Sequence, residues 1–120
     1  MKVYSFEKLE VWQLSRKFVK DIYNLTEKFP SSERYGMVDQ LKRAAVSIPT
    51  NLAEGSGRNT TKDKAYFTQL AYGSLMECLN LLILSVDLGY ILQEELENLR
   101  KDIEVLSKKL SNYRRSQLNS

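Results

Sequence analysis

A chain of 120 residues with 42% hydrophobic side chains falls within single-domain size, 1–120, and can fill one core. Its net charge of +3 is mild, and it contains no histidine and one cysteine. Those two counts exclude Ser-His-Asp and Cys-His catalysis, zinc-protease helices, the Glu-x-x-His di-iron pair of bundle metalloproteins, and any cysteine-based zinc or iron–sulfur site within one chain. No cofactor and no metal are expected, and an enzyme would have to work through carboxylates or lysines alone.

The first helix is expected from about Phe6 to Lys28, with Ser5 as N-cap and Tyr4 packed on Leu9. Trp12, Val19, Ile22 and Phe29, with Val11, Phe18 and Leu25, form a broad apolar stripe at helical spacing. Trp12 reads as a core anchor. Pro30, Ser31 and Ser32 end this helix and cap the next, placing Glu33 where the helix dipole favours a negative charge.

Helix two carries Val38, Leu41, Ala45, Ile48 and Leu52, spaced 3, 4, 3, 4 across Pro49. A new start at Pro49 would make Ile48 an N-cap, a poor choice. The spacing predicts one helix kinked at Pro49, ending near Glu54 with Gly55 as C-cap. Thr60 caps helix three, which runs to about Leu88 and stops at Gly89. Its second half, LNLLILSVDL, is apolar on more than one face, a hint of oligomerisation. Gly73 and Ser74 in mid-helix point to close approach by another helix, within or between subunits. Helix four starts near Gln93 and carries Leu92, Leu96, Leu99, Ile103, Leu106, Leu110 and Tyr113 in a coiled-coil-like seam. The fold class is all-α: an up-down-up-down four-helix bundle with left-handed packing, because the connections are too short for crossovers.

No apolar run approaches the ~20 residues that span a bilayer, and MKVYSFEKLE has no signal-type apolar segment. With a lone Cys78 among apolar neighbours, the expected compartment is the cytoplasm and no membrane contact is expected. Charge is unevenly placed: residues 1–64 hold 12 Lys/Arg against 8 Asp/Glu, and residues 65–120 hold 6 against 7. Asp87 to Glu104 is acidic, whereas Lys108, Lys109, Arg114 and Arg115 make a basic end. This pattern permits contact with a polyanion or head-to-tail contact between subunits.

Gly55 and Gly57 give GSG, yet no strand precedes them and no Lys-Ser/Thr follows, so neither a Rossmann turn nor a P-loop is present. Arg43 and Arg58, with Lys42 and Asn51, read either as a polar site for phosphate or RNA backbone, or as bracing, with Glu54 pairing Arg58. Lys8, Arg16, Lys17 and Lys20, with Lys62 and Lys64, form a second basic cluster. It is either a solvated face or a patch that becomes multivalent when repeated by symmetry. Tyr35, Tyr66, Tyr72 and Tyr90 could stack bases, although Tyr66 shares a stripe with Leu70 and Gly73 that suits packing.

The combination YGMVDQLKRAAVSIPTNLAEGSGR, followed by AYGSLMEC, resembles the four-helix-bundle family encoded in intervening sequences of bacterial 23S rRNA genes, also called S23 ribosomal-like. The resemblance runs from FEKLEVWQ to the leucine-rich fourth helix and marks Arg43, Pro49, Asn51, Glu54, Gly55, Gly57 and Arg58. It implies cytoplasmic bundles that assemble into rings, typically pentamers, without established enzymatic activity. It also implies kinship with accessory proteins of diversity-generating retroelements, which bind nucleic acid. The expected function is a non-enzymatic, homo-oligomeric bundle binding RNA or DNA through Arg16, Lys17, Lys20, Lys42, Arg43, Arg58 and Lys62. The rival expectation is a protein–protein adaptor docking partners on helix three around Leu79, Leu82 and Ile83.

Overall fold

Helix boundaries fall where short polar side chains, glycine and acidic caps satisfy free backbone groups. The computed structural model describes residues 1–120 and contains α1 (Glu10–Thr26), α2 (Met37–Ser56), α3 (Thr61–Asp87) and α4 (Gln93–Leu118), with 3₁₀ turns at Ser5–Lys8 and Ser31–Glu33. The first helix therefore starts later than its apolar stripe suggests. Leu9 is extended, with ψ 121°, and separates the 3₁₀ turn from α1. Neither Ser5 nor a Tyr4–Leu9 staple opens the element: Tyr4 is exposed, and its amide donates to Glu7 Oε2 at 2.8 Å.

Glu33 stays ahead of α2 but serves its N-terminus, accepting from the Met37 amide at 3.0 Å and from the Tyr90 hydroxyl at 3.0 Å. That second bond is the main reason the Tyr90 hydroxyl titrates above its ordinary value. Thr60 accepts from the Asp63 amide at 3.1 Å, as the sequence suggests for the cap of α3. Gly89 takes a φ of +78° just past the end of α3, a conformation that L side chains rarely adopt.

Cross-helix pairs set an antiparallel order throughout. Ser47 and Ser74 hydroxyls lie 2.6 Å apart across α2 and α3, and Thr68 donates to Gln117 at 2.7 Å across α3 and α4. Lys109 meets Glu10 at 2.5 Å at one end of the α1–α4 seam, and Lys28 pairs with Glu95 at the other. The α2–α3 interface is the most extensive, and α1 touches α4 only sparsely. One core cluster joins all four helices, with Phe18, Ile22, Leu41, Ile48, Leu75, Leu82, Leu106 and Leu110 fully enclosed. In α4, Leu96, Leu99, Ile103, Leu106 and Leu110 form the seam, whereas Leu92 sits outside it, exposed at the N-cap.

Two expectations change for α3. Its 27 residues include an 18-residue window of mean hydropathy 1.3, so by length and composition it is long and apolar enough to cross a membrane. Here it packs as a bundle helix, burying Ala65, Ala71, Leu75, Cys78, Leu81 and Leu82. Leu82 therefore belongs to the core, and the apolar side chains exposed near the end of α3 are Ile83, Leu84 and Leu88. Burial pushes the Cys78 thiol up to about 12.

Candidate nucleic-acid interface

The Pro49 segment is the natural place to begin, because its residue types suggest a ligand site. α2 runs unbroken through Pro49, which removes one amide from the helical ladder. The side chains of the next two residues add bonds around this turn, although neither reaches the Ala45 carbonyl that the proline leaves without its amide. Thr50 donates to the Val46 carbonyl at 2.7 Å, and Asn51 donates to the Ser47 carbonyl at 2.8 Å and to Ser47 Oγ at 2.9 Å. Since Ser47 also meets Ser74, Asn51 links the proline turn to α3, and Ser74 is explained by that bond.

Gly55 is not the C-cap. It lies buried inside α2, and a Cβ built on it would stand 2.8 Å from Phe67 Cβ and 3.4 Å from the Lys64 carbonyl oxygen. The residue is small because α3 passes directly over it. The helix ends one residue later than Gly55, with Gly57 as cap in an ordinary right-handed conformation at φ −89°. Arg58 then folds back: its guanidinium lies 4.5 Å from the Phe67 ring centroid and donates to Glu54 Oε1 at 3.1 Å. Glu54, Gly55, Arg58 and Phe67 together lock the α2–α3 corner.

Arg43 is not part of that corner. It donates to Asp39 Oδ2 at 3.0 Å one turn earlier on α2, and its 15-residue separation from Arg58 amounts to roughly 22 Å along a helix. The Arg43–Arg58 pair expected as one phosphate site therefore does not assemble within one chain. Lys17 is likewise engaged, donating to Asp21 at 3.0 Å, a bond that leads the upward shift of its pKa, with Asp21 and Asp102 charges adding to it. Lys62 stands exposed at the start of α3, without an ion pair.

Arg16 and Lys42 each meet an aromatic ring on the α1–α2 side, and Lys20 is exposed on α1. α1 and α2 run antiparallel so that Lys42 Nζ sits 4.6 Å from the Tyr23 ring centroid, and the Arg16 guanidinium lies 5.4 Å from the Trp12 ring centroid. Lys20 lies one turn from Arg16 on the exposed side of α1. None of the three belongs to any of the five ion pairs in the molecule. Beside them runs an open groove of about 390 Å³ lined by Phe6, Trp12, Arg16, Val19, Val46, Pro49, Thr50 and Ala53. Phe6 meets Trp12 edge-on at 5.1 Å, so Trp12 is a groove wall, half-buried, rather than a closed core anchor. The face offers three cations outside any ion pair, the rings of Phe6, Trp12 and Tyr23, and an apolar trough. The i,i+4 spacing of Trp12 and Arg16 was visible in sequence; the Lys42–Tyr23 contact depends on the tertiary register.

The fold also converts a modest charge bias along the chain into a bias along the bundle axis. The up-down order brings the start of α1, the α2–α3 link and the end of α4 to one end. There Lys2, Lys8, Arg58, Lys62, Lys64, Lys108, Lys109, Arg114 and Arg115 face only Glu7, Glu10, Glu54 and Asp63. The opposite end gathers Glu27, Glu33, Asp87, Glu94, Glu95 and Glu97 with Lys28 and Arg34. Alternating helix directions cancel the macrodipoles, so side chains alone carry this polarity.

Four antiparallel helices, a proline-spliced second helix and a cationic, aromatic face define an all-α bundle with no convergent group of three or more potential metal-ligating side chains. The family model for the 23S rRNA-intervening sequence protein matches residues 7–112, and the chain belongs to that family. A solved structure of unknown function from the S23 ribosomal protein family of Bacteroides thetaiotaomicron is similar in fold. Its TM-score is 0.76 at 23% identity, covering 86% of this chain and 96% of that one. Among curated proteins no match is found.

Proposed function

We propose that this protein is a non-enzymatic, cytoplasmic bundle that assembles with copies of itself, as a pentameric ring, and binds RNA or DNA through its basic surface. The observation that carries the binding reading is the set Arg16, Lys20 and Lys42, unpaired and interleaved with Trp12 and Tyr23 on the α1–α2 face. Lys62 adds positive potential at the basic end without forming the primary contact, and Arg58, paired with Glu54, adds little. Self-assembly is supported by Gly73, whose absent side chain no neighbour in the chain requires, because nothing lies within 4 Å of a Cβ built there. Tyr66, Leu70, Gly73, Glu77, Asn80 and Leu84 follow one another at 4, 3, 4, 3 and 4 residues along α3. Tyr66, Leu70 and Leu84 in that row are exposed, which suits a second helix laid against it.

Exposed Ile83, Leu84 and Leu88 favour the adaptor reading as the alternative. Fluorescence anisotropy with single-stranded and duplex oligonucleotides over a salt series separates the two. Nucleic-acid binding predicts an affinity that falls steeply and log-linearly with salt. No binding at low salt, or binding indifferent to salt, overturns it. A monomeric mass in solution overturns the ring.

A further inference from the structure

The largest cavity of the molecule lies away from the α1–α2 face, between the first half of α3 and the end of α4. Its volume is about 490 Å³, and its lining includes Gln69, Tyr72, Leu110, Ser111, Arg114, Arg115 and Leu118. That volume falls in the ordinary range of small-molecule sites, ~300–1,000 Å³. Two arginines line it, and neither has a carboxylate partner anywhere in the chain. Arg114 is the more telling of them. Its Nε lies out of solvent contact and does not itself face the cavity, while its terminal nitrogen reaches only Gln69 Oε1, at a long 3.4 Å. Arg115 donates to the neutral Asn112 Oδ1 at 3.0 Å.

A guanidinium that lines a cavity and whose only acceptor is one neutral amide oxygen at long range keeps most of its donors for a ligand. The surroundings supply no carboxylate, but they supply an apolar floor in Leu110 and Leu118 and an aromatic wall in Tyr72. We infer that this cavity is a binding site for a small organic anion: a phosphate or carboxylate head held by Arg114 and Arg115, with an apolar or aromatic body against Leu110, Leu118 and Tyr72. Arginine suits that head because its planar fork pairs two oxygens at once. The site lies apart from the α1–α2 face and shares none of Arg16, Lys20 and Lys42.

The probe is phenyl phosphate, titrated calorimetrically into the full-length protein, with inorganic phosphate and phenol as separate arms. The expected result is saturable binding of one phenyl phosphate per chain, tighter than inorganic phosphate, with phenol binding too weakly to saturate. Arg114→Gln should weaken phenyl phosphate about tenfold or more, the loss expected for a charge-assisted contact. Arg115→Gln, on the exposed rim, gives the same test if Arg114→Gln proves unfolded by circular dichroism. Lys101→Gln, an exposed change on α4 outside both sites, should leave phenyl phosphate binding unchanged. Absence of saturable binding, equal affinity for inorganic phosphate and phenyl phosphate, or undiminished binding in a folded arginine variant would each overturn the inference. A nucleic-acid face that fails its salt test leaves this result untouched, and the reverse holds.

Discussion

The α2–α3 corner and the α1–α2 face carry similar residue types and use them in opposite ways. At the corner, Glu54 neutralises Arg58, the Arg58 guanidinium covers Phe67, and Gly55 admits Phe67 to the surface of α2. Every polar group with a suggestive spacing is engaged inside the chain. On the α1–α2 face, Arg16 and Lys42 sit against aromatic rings, and neither they nor the exposed Lys20 form an ion pair. Groups four residues apart on one helix readily satisfy each other. Cations facing across two helices toward rings and solvent keep their charge available for a partner.

That contrast assigns the corner to stability and, under the proposed function, the face to binding. The largest effect should come from Gly55→Val, which drives a branched side chain into Phe67 and should cost about 1–3 kcal/mol by overpacking. Thermal unfolding checks it; an unchanged midpoint would mean that α3 does not rest on Gly55. Asn51→Ala removes the donor that braces the proline turn, and should cost about 0.5–1.5 kcal/mol, read in urea. Neither change should alter nucleic-acid affinity while the protein remains folded.

A smaller effect tests the seam between α1 and α4. Lys28 and the Leu92 amide both donate to Glu95, and the Lys28 bond is the first reason its carboxyl titrates below the usual range. A depressed carboxylate pKa stabilises the fold above the unfolded-state value, and that contribution fades as pH falls through the lower folded-state value. Lys28→Met should therefore narrow the stability difference between neutral and acid pH. Urea midpoints that fall equally for wild type and variant between those conditions would contradict this. The smallest effect belongs to Arg43→Gln, whose exposed i,i+4 pair contributes about 0.3–0.5 kcal/mol, whereas Arg58→Gln loses such a pair and the contact with Phe67 as well.

Much of the architecture was legible because helical periodicity and end signals depend on near neighbours. The α4 seam, the Thr60 cap, the Gly89 stop and the passage of α2 through Pro49 all follow from local rules. The misreadings share a physical cause. Gly55 looked like a C-cap because glycine often ends helices, but its smallness answers to Phe67, twelve residues on. The late start of α1 reflects an extended Leu9 that the apolar stripe conceals. For Arg43 the sequence left a ligand site and a bracing role open, and Asp39, one turn away, is the partner that neither reading named. Lys42 and Tyr23 share no local pattern, and the register of α1 against α2 alone brings them together.

The central claim is that the α1–α2 face, not the motif corner, meets nucleic acid. The direct measurement compares the salt dependence of oligonucleotide binding for wild type, the triple variant R16Q/K20Q/K42Q, and the double variant R43Q/R58Q. Each phosphate contact contributes about 0.7–0.9 to the log–log slope, so the triple variant should lose roughly two to three units of slope per chain, with the double variant close to wild type. A triple variant with the wild-type slope, or a larger loss in the double variant, would contradict the account.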